Sequence, residues 1–292
     1  MGHRSARQIS IIANPSRLQR ALRGSPITNH EGVAWCPNGT CQSPITIGLP
    51  MQTLRIGAHR GAMCHAPENT LAAFEKAIAF DTYRIEFDVR RSRDCEIVVM
   101  HDTTVDRTTD GTGKVADLTL EGLRQLKVGG SEPIPTFRET LNCIRGRSLL
   151  LVELKDSDIT DQVVDLIKAA DMIDVCTLSS FDEDCLRRAK EICPELSRAA
   201  FFVKPGTLDV QDKINNLGID MLIVWPQTAT PDHIAQARQN GLQVRCGYPD
   251  NMSYEESYDL FKRLADAGVD EYYCGRPDWI GRMIEAYERK ID

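Results

Sequence analysis

Ile85-Glu86-Phe87-Asp88-Val89 is a short run in which apolar and acidic residues alternate. Successive side chains of a strand point to opposite faces, so Glu86 and Asp88 share one face while Ile85, Phe87 and Val89 take the other. Two carboxylates turned the same way in an otherwise apolar strand are costly unless a cation or hydrogen bonds compensate them. The arrangement recurs in Leu149-Leu150-Leu151-Val152-Glu153-Leu154-Lys155, where Glu153 and Lys155 fall on one face. Upstream, Gly57-Ala58-His59-Arg60-Gly61 ends a strand in a histidine and an arginine, and Val99-Met100-His101-Asp102 ends another in a histidine.

Working outward, strands are predicted at Leu54–Ala58, Ile85–Val89, Ile97–Met100, Leu149–Leu154, Val175–Leu178, Ala199–Val203, Met221–Trp225, Val244–Cys246 and Glu271–Cys274. Several are almost wholly apolar, as strands covered on both faces are. Helical spacing separates most of them. Asn69 is placed to cap a helix carrying Leu71, Phe74 and Ile78, and Pro135 to open one carrying Phe137, Leu141 and Ile144. Further helices are predicted over Asp161–Ala170, Asp182–Ile192, Pro231–Asn240 and Glu255–Ala267. Alternation of this kind implies a parallel sheet, and Met51 to Asp292 is close to the ~250 residues of a (β/α)8 TIM barrel. The segment between Val89 and Ile97 is too short for a crossover helix. The barrel is therefore expected to be irregular there, with one of the nine strands outside it.

Residues 1–50 read differently. They hold five arginines against one acidic residue, Glu31, with scattered Pro, Gly, Ser and Asn and no sustained period. They are expected to be a poorly structured extension or to lie upstream of a true start at Met51, and 51–292 to be the one folded domain.

The 292 residues are 42% hydrophobic, enough for a substantial core, and carry a net charge of -7. That balance excludes a typical nucleic-acid binder. No apolar run reaches the ~18 residues of a membrane span. Ile9 to Ala13 is shorter than the ~7–15-residue core of a secretory signal. Cys143, Cys176, Cys185, Cys193, Cys246 and Cys274 sit in apolar or helical contexts, and Cys36 and Cys41 have no second pair to complete a zinc site. Reduced thiols in a cytoplasmic protein are expected.

The chemistry-bearing residues converge on one task. Glu86, Asp88 and Glu153 form an all-oxygen set suited to Ca²⁺ or Mg²⁺. Lys155 and Arg60 offer cations to a phosphate, and His59 and His101 supply proton transfer near neutral pH. His65 and His233 carry less weight, the first in a loop and the second on a helix surface. Together the set fits a phosphodiester held against one divalent cation.

The ordered motifs resemble those of the glycerophosphodiester phosphodiesterase family. They are His59-Arg60-Gly61, Pro67-Glu68-Asn69-Thr70, Glu86-Phe87-Asp88-Val89, the run from His101 to Thr109, Gly111-Thr112-Gly113, Ile134-Pro135-Thr136, Glu153-Leu154-Lys155 and Ser180-Phe181-Asp182. The resemblance covers most of residues 54–280. It implies a TIM barrel that hydrolyses small glycerophosphodiesters to glycerol 3-phosphate and an alcohol. It also implies one divalent ion on Glu86, Asp88 and Glu153, with His59 and His101 as the acid/base pair and Arg60 and Lys155 on the phosphate. Attack by a neighbouring glycerol hydroxyl, giving a cyclic phosphate that water opens, belongs to the same implication.

Three stretches depart from the family pattern. Cys246-Gly247-Tyr248-Pro249 stands where many relatives have Trp-Thr-Val-Asn. Cys274-Gly275-Arg276-Pro277 replaces a Thr-Asp ending, and Asp81-Thr82 replaces a glycine before the second strand. The first two fall on the rim where substrate contacts sit. Trp225, Tyr248 and Phe181 are the candidates for an aromatic wall there. Lysophospholipase D or sphingomyelinase D-like chemistry is one alternative, and would call for an exposed apolar rim. A non-catalytic phosphodiester-binding protein is the other.

Overall fold

The structure is a computed structural model that describes residues 54–204 and 206–289. The expectations for residues 1–50, Cys36 and Cys41 included, lie outside the described residues. In chain order come β1 (Arg55–Ala58), α1 (Leu71–Ala79), β2 (Arg84–Arg91) and β3 (Ile97–Val99). A rim segment follows, with α2 (Leu120–Gln125), β4 (Lys127–Val128) and β5 (Glu132–Pro133). Helix and strand then alternate through α3 (Phe137–Ile144), β6 (Leu149–Leu154), α4 (Thr160–Ala169), β7 (Cys176–Ser179), α5 (Glu183–Ile192) and β8 (Ser197–Phe202). The chain continues with α6 (Val210–Leu217), β9 (Met221–Val224), α7 (Pro231–Gln239), β10 (Gln243–Gly247), α8 (Tyr254–Ala267), β11 (Glu271–Cys274) and α9 (Pro277–Glu288).

Eight of these strands close a parallel barrel in the order β1-β2-β6-β7-β8-β9-β10-β11, with β11 returning to β1. The ninth predicted strand is the odd one. β3 turns back on β2 as an antiparallel partner, Val89 opposite Val99 and Arg91 opposite Ile97. With no room for a crossover helix, a tight reversal is the connection open to it.

β2 serves the core and the site with alternate residues. Phe87 is fully buried on the outer face and packs against Phe74 of α1 and Phe137 of α3, at ring centroids of 5.4 and 6.0 Å. Its neighbours Glu86 and Asp88 point inward. Parallel register sets Asp88 of β2 beside Glu153 of β6. Both lie toward the C-terminal ends of their strands, the end of a TIM barrel where active sites form. In the lumen, Leu151, Ala199, Met221, Ile223 and Tyr273 pack together.

Nearer the strands' N-terminal ends lies a buried ionic layer absent from the sequence expectations. Glu271 receives Arg84 Nε at 3.0 Å and faces Arg245 Nε at 3.1 Å. Arg84 also donates to Thr177 Oγ1 at 2.9 Å, and the Arg245 guanidinium lies 3.9 Å from the centre of the Tyr273 ring.

Two helix starts are corrected. Thr70, not Asn69, caps α1, its hydroxyl accepting the Ala73 N–H at 3.2 Å. Asn69 stands outside the helix at φ +58°. Pro135 does not open α3. Thr136 caps that helix in a reciprocal box with Glu139, while the Pro135 carbonyl accepts the Val99 N–H at 2.9 Å.

Gly61 is required by two constraints at once. Its φ is +75°, and a Cβ placed there would fall 2.8 Å from the backbone carbonyl carbon of Ala73. Gly61→Ala is therefore expected to lower stability by about 1–3 kcal/mol, read as a lower urea midpoint. An unchanged midpoint would show that the loop rearranges freely.

Candidate active site

Three buried carboxylates meet at the top of the lumen. Glu86, Asp88 and Glu153 are 3%, 1% and 8% exposed. One oxygen from each lies within 4.8 Å of the other two. The loop after β1 folds over them. Arg60, held at φ +51°, donates its backbone N–H to Glu86 Oε2 at 2.8 Å. Asn69 grips Asp88 at two points, Nδ2 donating to Oδ2 at 2.9 Å and Oδ1 accepting the Asp88 N–H at 3.3 Å. Asx side chains tolerate the left-handed backbone that this placement needs. Asp88 Oδ1 is buried and accepts no well-formed hydrogen bond, although Lys155 Nζ lies 3.2 Å away. An ion-pair partner with a spare, buried carboxylate oxygen beside two further carboxylates matches a hard divalent cation bound by oxygen.

The electrostatics agree. Burial raises the Glu153 carboxyl well above the usual carboxylate range, and the charges of Asp88 and Glu86 add to it against Lys155. Burial pushes Asp88 the same way, but Lys155, Arg60, His101 and the Asn69 hydrogen bond outweigh it and hold that carboxyl low. The set thus pairs an ionised carboxylate with a neighbour whose ionisation is resisted until positive charge arrives.

His101 is oriented by its successor, Nδ1 lying 2.6 Å from Asp102 Oδ1. Asp102 in turn accepts Arg107 Nε at 2.6 Å and Nη2 at 3.1 Å. Those Arg107 bonds hold the Asp102 carboxyl far below its ordinary range despite some burial. Arg107 continues to Glu68 through two bonds of 2.8 Å, and Glu68 accepts Arg60 Nη1 at 2.8 Å. Arg60 Nε then lies 3.6 Å from Asp88 Oδ2. One chain of charges therefore links the His101 ring to the carboxylate cluster. Glu68, Arg107 and Asp102 appear in the sequence only as letters of motifs; the acid–base alternation of Asp102 with Arg107 was their available signal.

His59 follows β1 and lies edge-on to Tyr273 at 5.6 Å between centroids. Its Nδ1 is 4.0 Å from Asp250 Oδ2. Burial acts to lower the His59 pKa, but Asp250 and the Glu86 charge prevail and raise it. Asp250 was not anticipated. It sits just beyond the altered Tyr248-Pro249 stretch, where its other oxygen accepts the Gly275 N–H. A Cβ on Gly275 would come within 3.0 Å of that same oxygen. The two rim departures therefore fit each other, the glycine leaving space for the carboxylate.

A cavity of about 970 Å³ opens over this group and is lined by His59, Arg60, His101, Glu153 and Lys155. Lys155 also donates to Glu153. Trp225 and Phe181 line the same cavity, 42% and 58% exposed. Tyr248 borders it but is only 7% exposed, with its hydroxyl directed to Met283 Sδ at 3.7 Å. The ring expected as an open wall is thus largely core. His65 lies outside the cavity lining, paired with Asp278 at 2.7 Å. His233 is half-buried rather than on the surface, its Nδ1 3.0 Å from the Thr228 carbonyl.

Comparison with known proteins gives one answer. The family model described as Glycerophosphoryl diester phosphodiesterase family matches residues 59–278. A glycerophosphodiester phosphodiesterase of Caldanaerobacter subterraneus subsp. tengcongensis is 30% identical over 247 residues, covering 80% of this chain and 98% of that relative. Among solved structures, a glycerophosphodiester phosphodiesterase from Agrobacterium tumefaciens is similar with a TM-score of 0.67 at 29% identity, over 78% of this chain and 99% of that one. An Oleispira antarctica phosphodiesterase in complex with the product sn-glycerol-3-phosphate gives a TM-score of 0.71 at 27% identity, over 80% and 97% of the two chains.

Proposed function

The chain belongs to the glycerophosphoryl diester phosphodiesterase family, and on that premise we infer how its residues hydrolyse a glycerophosphodiester to glycerol 3-phosphate and an alcohol. The observation that carries the reading is the union of the buried carboxylates with two histidines and a lysine around one cavity. Glu86, Asp88 and Glu153 would hold the divalent cation, Mg²⁺ or Ca²⁺. When bound, that ion polarises a phosphoryl oxygen and offsets charge developing in the transition state.

The protein groups divide the remaining work. Lys155 meets the phosphate as a fixed cation. Arg60, tied to Glu68 and Asp88, anchors a ligand carboxylate as well as facing the cavity. Ionised Asp102 is an acceptor only, so it takes the Nδ1–H of His101 and leaves Nε2 as the proton acceptor. His101 accordingly serves as base toward the attacking glycerol hydroxyl. His59, paired with Asp250, donates a proton to the departing alcohol. Attack within the substrate forms a cyclic phosphate, gaining effective molarity. Water then opens the ring with the two histidines in exchanged roles.

Asn69 acts through Asp88. Asn69→Ala is expected to lower metal-dependent kcat/KM about 10–100-fold and to raise the Mg²⁺ concentration needed for half activity. A change in neither would remove Asn69 from the site.

Among the described residues no helix is long and apolar enough to cross a membrane. We place the enzyme in the cytoplasm on the support of its eight described cysteines, all free thiols. We assign catalysis to residues 51–292. The test of the reading is release of glycerol 3-phosphate from a panel of glycerophosphodiesters, with EDTA, Mg²⁺ or Ca²⁺. Release that EDTA abolishes supports it; release unaffected by EDTA, or none from any member, overturns it.

A further inference from the structure

Tyr248, Tyr272 and Tyr273 stand near the ends of β10 and β11. Tyr248 directs its hydroxyl to Met283 Sδ at 3.7 Å, and Tyr272 donates to the Val269 carbonyl at 3.0 Å. Tyr273 alternates with Tyr272 on β11 and so faces the lumen, where it lines the cavity with His59, Gly247 and Asp250. Among the described residues its hydroxyl has no hydrogen-bond partner. Unlike Tyr83 Oη, which is sealed in without one, it is accessible from the cavity.

The ring occupies a built seat. Its face lies 3.9 Å from the Arg245 guanidinium, which is fully buried against Glu271. His59 lies edge-on to it at 5.6 Å. Two glycines leave it room. A Cβ on Gly57 would fall 2.8 Å from Tyr273 Cβ, and one on Gly247 would fall 2.6 Å from Cζ and 2.8 Å from Oη. The phenol therefore lies across the end of β10. Gly247 belongs to a stretch that departs from the family pattern, and it stands where many relatives have threonine. Position 247 offers no hydroxyl in this chain, and Tyr273 brings one beside it. Burial raises the Tyr273 pKa against the opposing charge of Arg245, and the charges of Glu86 and Glu153 add to the rise. The hydroxyl thus stays protonated near neutral pH and is a donor there.

A substrate bound for the chemistry above places its phosphoryl group between His59 and the carboxylate cluster. Lys155 approaches that group from the end of β6, on the far side of β1 and β2. Within β10, β11 and residues 248–253, the cavity-lining polar side chains are Tyr248, Asp250 and Tyr273. Tyr248 is turned to Met283 and Asp250 is a carboxylate, which leaves Tyr273 as the donor on that side. We propose that the Tyr273 hydroxyl donates a hydrogen bond to a non-bridging oxygen of the substrate's phosphoryl group. The proposal rests on the phosphodiesterase reading of the site. The phenol keeps its proton throughout, so it adds a fixed donor and no acid/base step.

The test is Tyr273→Phe, which removes the hydroxyl and leaves a ring on Arg245. No protein group loses a partner, so the melting temperature should not change. kcat/KM for glycerophosphocholine is expected to fall about 10–100-fold, the range for one hydrogen bond to a charged group. The Mg²⁺ concentration needed for half activity should stay where it is. Calorimetry in Mg²⁺ should show inorganic phosphate and glycerol 3-phosphate each losing affinity by a similar factor. A fall in kcat/KM of less than about twofold would overturn the proposal, since it is below the worth of such a bond. A fall explained by a raised Mg²⁺ requirement would also overturn it, by moving the hydroxyl to the ion. So would a loss of affinity for glycerol 3-phosphate without one for inorganic phosphate, which would move it to the glycerol. If wild type turns over no glycerophosphodiester, the phosphodiesterase reading fails, and the two phosphate affinities alone decide this contact.

Discussion

His101→Ala is expected to lower kcat on a glycerophosphodiester by about 10²–10⁴, the contribution of one positioned acid or base, with little change in melting temperature. His101 is half-buried on the rim, so its loss opens no core cavity. Its ring is bound to Asp102 at 2.6 Å, and Asp102 is tied through Arg107 and Glu68 to Arg60. Asp102→Asn therefore gives a partial version of the same defect. An amide can donate as well as accept, and it no longer fixes which ring nitrogen carries the proton. Steady-state rates for the two variants, read beside thermal melts, check the ordering. A fall of less than threefold in His101→Ala would remove His101 from the chemistry.

Glu153→Gln is expected to lower metal-dependent turnover by about 10³, the several kcal/mol a bound cation contributes to offsetting charge. The same change is not expected to destabilise the metal-free protein. The folded state raises the Glu153 carboxyl, through burial and the charges of Asp88 and Glu86. An ionised Glu153 therefore costs stability above its ordinary pKa, and an uncharged amide removes that cost. Its melting temperature in EDTA should match or exceed that of wild type, while Mg²⁺ or Ca²⁺ should raise wild type more than the variant. This is the exchange of stability for activity expected where a site holds crowded like charges. A variant that loses stability in EDTA and keeps its turnover would show that Glu153 is a structural partner of Lys155 and not a ligand.

Most of the barrel was readable because its strands are buried on both faces and its helices are amphipathic. The site was readable for the opposite reason. Glu86, Asp88 and Glu153 break apolar runs at period two, and only a compensated interior permits that. The same logic was open for Arg84, two residues before Glu86 on the same face, but the predicted strand began at Ile85 and the ionic layer with Glu271 and Arg245 stayed hidden. Asn69 and Thr70 are both good helix caps, and local preference ranks asparagine first. The left-handed turn at Asn69, imposed by the loop passing over Asp88, decides it. The sequence expectations do not include helices α2, α6 and α9. The last begins at Pro277, inside a stretch read for its rim motif rather than its periodicity. Asp250 had no signal of its own, since its approach to 4.0 Å from His59 is made across the rim, where the glycine at 275 leaves its carboxylate room. Tyr248 shows the reverse: its position near the rim was correct, but the direction of its hydroxyl toward Met283 depends on packing against α9.

The most direct measurement is a titration of metal-stripped protein with Mg²⁺ and with Ca²⁺, followed by calorimetry, with turnover recorded at each point. Binding at one site per chain, turnover rising in step with occupancy, and no binding in Asp88→Asn are the expected results. Wild-type turnover in the stripped protein, or a cation bound equally well by Asp88→Asn, would contradict a catalytic ion held by Glu86, Asp88 and Glu153.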